Sequence, residues 1–320
     1  MKKYLMLLLL VFQMACASKT DSLALIFTSF EKVIKPKSLV YYCDTCGCSA
    51  NGGSMGFTSL LNTNFVGVRY LNQSYTTRQG IFDNSPWVNE HFNSVQIWSK
   101  IPVSKTIQIS ALLPYLANNR QLASGIETIN GIGDATVLAM ATVFETKNDS
   151  AFVAQKWQIG GGLKVPTGKY STANNGTLNP SFQLGSGSWD YLLLSEYVVK
   201  KQNIGLHTAV NYTIKSENKK GYQFGNQLNY GATLFYLFNL NTIKIVPQVG
   251  FAGEVFEANK QFQQTLSNTS GSIVFNSFGF EIGIKKWGLG CNAMTPLNQN
   301  LNNGAIRANY RFLINFNYSL

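Results

Sequence analysis

Charge is what this chain has least of. Lys, Arg, Asp and Glu make up 13% of its 320 residues, about half the share usual in soluble domains. Grease does not take their place: the apolar fraction is 45% and the mean hydropathy −0.02, well short of a helical membrane protein. Beyond the N-terminus no apolar run reaches the roughly 18 residues that a membrane-crossing helix needs. Histidine is nearly absent, with two in all. His91 and His207 have no sequence partner, so no nucleophile–base pair is legible, and hydrogen bonding is the expected use of His207. Gly160-Gly161-Gly162 lies inside a strand pattern, where glycines relieve crowding, and is no phosphate loop. We expect no enzyme, no catalytic residue and no obligatory cofactor.

The N-terminus reads as a secretory signal over 1–17. Lys2 and Lys3 precede an apolar core, Leu5 to Phe12, and Ala15-Cys16-Ala17 fits a small-residue cleavage site. A lipoprotein signal with Cys16 lipidated is the alternative. The formal charge is +11 and the pI about 9.3. Export argues against a nucleic-acid partner, and anionic lipid headgroups suit the surplus lysines better.

What the chain has is alternation. In Tyr310 to Leu320, Tyr310, Phe312, Ile314, Phe316 and Tyr318 oppose Arg311, Asn315, Asn317 and Ser319, the period of a strand with one apolar and one polar face. Twelve segments read this way: about 64–72, 93–103, 105–116, 132–146, 154–166, 187–200, 202–215, 224–239, 241–256, 272–284, 286–294 and 304–320. The charges inside them keep to the polar parity. Lys or Arg on a lipid face at mid-bilayer costs about 2–4 kcal/mol, so this segregation predicts an all-β transmembrane antiparallel up-and-down barrel of about twelve strands over 64–320. It also nominates a set of residues lining the interior: Arg69, Lys100, Asp134, Lys156, Lys164, Asp190, Glu196, His207, Lys244, Glu254, Glu281, Arg307 and Arg311. Connections alternate between long and short, as periplasmic turns and extracellular loops do. An even strand count places both barrel termini on the periplasmic side of an outer membrane.

Residues 18–63 precede the barrel. Asn51 to Asn62 is Gly-rich and then apolar, with Phe57, Leu60 and Leu61, and either enters the barrel as a plug or lies on its rim. Cys43-Asp44-Thr45-Cys46-Gly47-Cys48 has the spacing to hold Cu or Zn through Cys43, Cys46 and Cys48. Oxidation to a disulfide is the other use open to it in the periplasm. Cys291 shares parity with Trp287 and Leu289, so it faces lipid.

Three short motifs carry a resemblance. Gly131-Ile132-Gly133-Asp134 opens a strand, Lys164-Val165-Pro166-Thr167-Gly168 ends the next, and Leu184-Gly185-Ser186-Gly187-Ser188-Trp189-Asp190 opens the one after. The succession, over roughly 95–320, resembles the outer-membrane transporter family named for the meta-cleavage pathway of phenol degradation. The resemblance implies a Gram-negative outer-membrane barrel and a transport role, without implying phenol; the expectation is passive uptake or export of a small solute, hydrophobic or otherwise. The Cys leader is similar to a Bacteroidetes-type subgroup, which implies a link to copper or a periplasmic partner. A membrane-anchored metal-binding or assembly protein is therefore the second expectation, with outer-membrane lipid a partner in both.

Overall fold

The computed structural model describes residues 59–61, 64–78, 85–146, 153–171 and 179–320. Twelve antiparallel strands close into a barrel: β1 (Phe65–Arg78), β2 (Trp87–Pro102), β3 (Ile107–Leu122), β4 (Ala135–Glu145), β5 (Val153–Val165), β6 (Asp190–Lys201), β7 (Ile204–Lys215), β8 (Gln227–Tyr236), β9 (Ile243–Phe256), β10 (Gly271–Ile284), β11 (Trp287–Leu301) and β12 (Ile306–Ser319). Two further pieces extend the wall: Gly125–Ile132 pairs with the upper part of β3, and Phe238–Leu240 continues β8 along β9. Each strand pairs with the next, and β12 closes on β1 with Phe65 opposite Ser319 and Tyr70 opposite Ile314. Closure leaves no edge, as a sheet in lipid requires.

The alternation is inside-out. Along β3, Gln108, Ser110, Asn118 and Arg120 are buried while Ile107, Ile109, Leu113 and Tyr115 are exposed. Exposed apolar side chains facing lipid and polar ones facing the interior are the pattern of a membrane barrel. Exposed aromatics sit toward both ends of the apolar band: Tyr70, Tyr115 and Tyr310 toward the long loops, Trp157, Trp287 and Tyr318 toward the short turns. There amphipathic rings meet headgroups.

The wall is taller than the alternation suggests. The expected 117–131 loop is strand: β3 runs to Leu122, the chain turns, and Gly125 to Ile132 pairs back along it. β1 and β2 likewise run on to meet at the Arg78–Trp87 pair. The outward residues of these extensions are Asn72, Ser74, Thr76, Asn89, His91 and Asn93. They stand above the lipid, so the apolar half of the alternation is missing there and the sequence looks like loop.

The interior is not polar throughout. Trp98, Leu112, Leu138, Met140, Leu192 and Leu194 form one inward apolar cluster with Phe65. Gly160 and Gly162 lie opposite Met140 and Leu138, whose side chains occupy the space a Cβ would take. A second cluster toward the loop end joins Tyr75, Phe92, Phe182, Phe256, Phe275 and Met294.

Candidate functional site

The barrel interior is the candidate site. At the loop end, the segment after β5 folds inward, so that Asn179, Ser181, Phe182, Gln183 and Ser186 are buried. Asp134 holds it. Its Oδ1 accepts from the Gly168 N–H (2.9 Å), and its Oδ2 accepts from the Ser186 N–H and hydroxyl (both 2.8 Å). Thr167 Oγ1 donates to the Gly133 carbonyl at 2.6 Å and accepts from the Ala135 N–H at 2.9 Å. A Cβ on Gly185 would meet the Asp134 carboxylate, so glycine there permits the close approach. Lys164 lies 3.7 Å from Asp134 and 2.5 Å from Asp190. The three motifs that are scattered in sequence thus meet at one carboxylate.

Beyond this latch, Phe182 packs beneath the Arg120 guanidinium, 4.5 Å from its ring centroid. Asn179 Nδ2 donates to Glu90 at 2.8 Å, and Thr77 Oγ1 donates to the same carboxylate at 2.7 Å. Arg120 pairs with Glu127 at 2.8 Å. Glu90, Arg120 and Glu127 are inward charges that the sequence reading misses, because they fall in stretches taken for loop. Continuing the parity of Gln96 and Lys100 upward through Ser94 and Phe92 would have reached Glu90.

At the short-turn end, Ser59, Leu60 and Leu61 lie inside the barrel. Glu281 accepts from the Ser59 hydroxyl (2.7 Å) and the backbone N–H groups of Leu60 (2.9 Å) and Leu61 (3.0 Å). Leu60 lines two cavities. One, of about 90 Å³, is central and is also lined by His207, Thr233, Gln248, Met294 and Leu313. The other, of about 450 Å³, is a vestibule at the short turns, lined by Leu61, Lys156, Lys244 and Val246. His207 Nε2 is buried with no hydrogen-bond partner among the described residues, and its ring faces the central cavity.

The remaining nominated residues fall as follows. Arg69 is buried, donating to Gln96 at 2.7 Å with its guanidinium 4.8 Å from the Trp98 ring centroid. Lys100 lies 3.9 Å from Glu196 inside the barrel. Arg311 grips Glu254 with two hydrogen bonds, 2.6 and 2.9 Å, and reaches the Tyr75 hydroxyl at 2.7 Å. Lys156 sits near the short-turn mouth, 3.5 Å from Glu145. Arg307 is a correction. It is exposed on the outer face, 4.6 Å over the Trp87 ring, which Arg78 also flanks at 5.0 Å. The cause is a bulge: Ser74 pairs with Tyr310 and Tyr75 with Ala308, leaving Asn309 over. One extra residue reverses the facing of everything beyond it, so Arg311 and Arg307 point to opposite sides despite their shared parity. Cys291 lies on the strand parity of Trp287 and Leu289. Cys16, Cys43, Cys46 and Cys48 lie outside the described residues.

A family model described as MetA-pathway of phenol degradation matches residues 87–311. Among solved structures, an outer membrane channel from Pseudomonas putida F1 has the same fold, with a TM-score of 0.59, 15% identity, and coverage of 82% of this chain and 97% of that one. The beta domain of the Bordetella autotransporter BrkA gives a TM-score of 0.44 at 11% identity, covering 80% of this chain and 100% of that one. The NanC porin gives 0.43 at 10%, covering 79% and 100%. No curated protein matches the chain.

Proposed function

The chain belongs to the family described as MetA-pathway of phenol degradation, and on that premise we propose that it is a passive outer-membrane channel for a small uncharged solute, with both ends of its strand array on the periplasmic side. The observation that carries this reading is the interior itself. Two cavities share Leu60 in their linings. Most interior charges are engaged: Arg311 with Glu254, Lys164 with Asp134 and Asp190, and Lys100 with Glu196, while Glu281 is occupied by its hydrogen bonds to Ser59, Leu60 and Leu61. Paired charges rigidify a lumen and leave little to select an ion. His207, Thr233, Gln248, Ser277 and Asn292 offer a solute hydrogen bonds, beside the apolar Leu60, Met294 and Leu313. No catalytic step belongs to this reading.

The leader is the restraint. Leu60 is held in the path by its own hydrogen bond to Glu281 and those of its neighbours Ser59 and Leu61. The test is single-channel conductance and liposome swelling of the full chain beside a chain lacking residues 18–63. We expect the shortened chain to conduct more and to swell liposomes faster. Silence from both would end the channel reading.

The same clasp favours a second role for the leader. Glu281 tethers to the barrel the chain that bears Cys43, Cys46 and Cys48, as an anchored copper or zinc site, or a periplasmic docking point, would need. Metal content of reduced full-length protein should drop on replacing these cysteines by Ser. Equal metal in both proteins removes the site.

A further inference from the structure

Three side chains on the outside of the wall take no part in the conduction path. Arg307 and Arg78 both carry a guanidinium over the ring of Trp87, at 4.6 and 5.0 Å from its centroid. Three strands bring them together: Arg307 stands on β12, Arg78 ends β1, and Trp87 opens β2 directly opposite Arg78. The Asn309 bulge turns Arg307 to this face, and the bulge is pinned. Thr76 Oγ1 donates to Asn309 Oδ1, and Asn309 Nδ2 donates to Ser74 Oγ, both at 3.1 Å. A register fixed in this way fixes the facing of Arg307.

Two like charges over one ring repel each other, and the face around them is short of anions. Its outward residues above Tyr70 and Tyr310 include Asn72, Ser74, Thr76, Asn89, His91 and Asn309, amides, hydroxyls and an imidazole without a carboxylate among the described residues. Arg307 is exposed and has no ion-pair partner among the described residues. A guanidinium over a ring uses its face for the ring and keeps its N–H fork in plane, where it can take two phosphate oxygens at once.

Height and surroundings say what carries that phosphate. Tyr310 pairs with Ser74, and Arg307 with Thr76 two residues further up β1. At the usual rise and tilt of a barrel strand, Arg307 stands about 5 Å above Tyr310, and the Arg78–Trp87 pair about 5 Å higher still. Interfacial aromatics mark the lower edge of the headgroup layer, which is about 5–8 Å deep. Below the arginines the same face is apolar: Val68, Val95, Ile97, Tyr310 and Phe316 are all exposed. An amphiphile with its anionic head at Arg307 lays its hydrocarbon along these residues. A soluble anion gains nothing from them.

We infer that Arg78, Trp87 and Arg307 form a binding site on the outer wall for a phosphate of a phosphorylated glycolipid, the lipid A part of lipopolysaccharide in the outer leaflet. The inference rests on the outward placement of the long loops in the reading above, and not on what the barrel conducts.

The test is titration of purified full-length protein, in a neutral maltoside detergent, with lipid A, with lipid A stripped of its phosphates, and with inorganic phosphate. Native mass spectrometry counts the bound molecules. The wild type should hold lipid A about ten-fold more tightly than the stripped form, the factor that corresponds to 1.4 kcal/mol. Arg307→Gln should erase most of that difference, and Arg307→Lys, which keeps the charge and loses the fork, should fall between. Lys105→Gln removes the same charge at a short turn and should bind as the wild type does. Equal binding by the wild type and Arg307→Gln overturns the site. Equal loss in Lys105→Gln also overturns it, because the attraction is then diffuse. Inorganic phosphate that displaces lipid A at equal concentration overturns the lipid assignment. Orientation has its own check. Phe262 is 71% exposed in the long loop after β9, so a Phe262→Cys chain should gain label over its parent from a membrane-impermeant maleimide in intact cells. No gain reverses the barrel and removes the reading on which the site rests, whereas failure of lipid A binding alone leaves that reading standing.

Discussion

At the loop end Asp134 accepts hydrogen bonds from Gly168 and Ser186, and at the short-turn end Glu281 accepts them from Ser59, Leu60 and Leu61. Both are buried inward carboxylates that draw a non-strand segment into the barrel by its backbone N–H groups and a serine hydroxyl. They differ in what surrounds them. Asp134 has Lys164 beside it, and Lys164 is shared with Asp190. Glu281 has no ion-pair partner among the described residues. They differ also in what they hold: the loop after β5 brings Phe182 and Asn179 into the packed interior, whereas the leader brings Leu60 to the boundary between two cavities. A charge-compensated carboxylate within a packed core is a fixture. An uncompensated one beside open space is a clasp that can let go.

That contrast predicts unequal consequences. The largest belongs to Asp134→Ala, which leaves Lys164 one carboxylate short and frees the Gly168 and Ser186 donors. Breaking a buried pair costs about 3–5 kcal/mol, so heat-shifted mobility should be lost at a markedly lower temperature, and residues 166–189 should become open to protease. Unchanged melting would make the latch as loose as the clasp and erase the distinction.

Glu281→Ala should cost the leader its hold by about 2–3 kcal/mol, the scale of hydrogen bonds to a charged acceptor. Barrel melting should stay as in the wild type while protease cuts near Ser59 and conductance rises. A drop in barrel melting equal to that of Asp134→Ala would make Glu281 a second fixture.

Asn179→Ala removes one donor from the buried Glu90 carboxylate and should cost about 1–2 kcal/mol. It sharpens the comparison by loosening the inward loop without touching its latch. The expected reading is a modest fall in melting temperature together with faster hydrogen exchange confined to the loop.

The smallest effect belongs to Lys156→Ala at the short-turn mouth, where the Glu145 partner is half exposed. Such pairs contribute about 0–1 kcal/mol, so denaturant midpoints should barely move. A larger shift would mean that the vestibule carries structural load of its own.

How far the sequence reaches is visible residue by residue. Gln108, Ser110 and Leu112 alternate against Ile109, Ala111 and Leu113, and that pattern alone places β3 in the wall. Lipid penalises a charge on the outer face strongly enough to leave its mark on every membrane-spanning strand. Above the lipid the penalty ends, and the upper parts of β1, β2 and β3 become unreadable although they remain strand and stay in the wall. With them went Glu90, Arg120 and Glu127. Among the nominated interior residues, the pairing of Arg311 with Glu254 or of Lys164 with Asp190 was not legible, because partners on different strands meet only when the barrel closes.

The sequence by itself determined the class of fold, the strand count and the facing of most membrane-level residues, since alternation and lipid exposure act strand by strand. Only the tertiary structure decided where that rule breaks. The bulge at Asn309 turned Arg307 outward. Asp134 gathered three distant motifs, and Glu281 drew Leu60 into the path. Each depends on register between strands far apart in the chain, and register is set by the closed sheet as a whole.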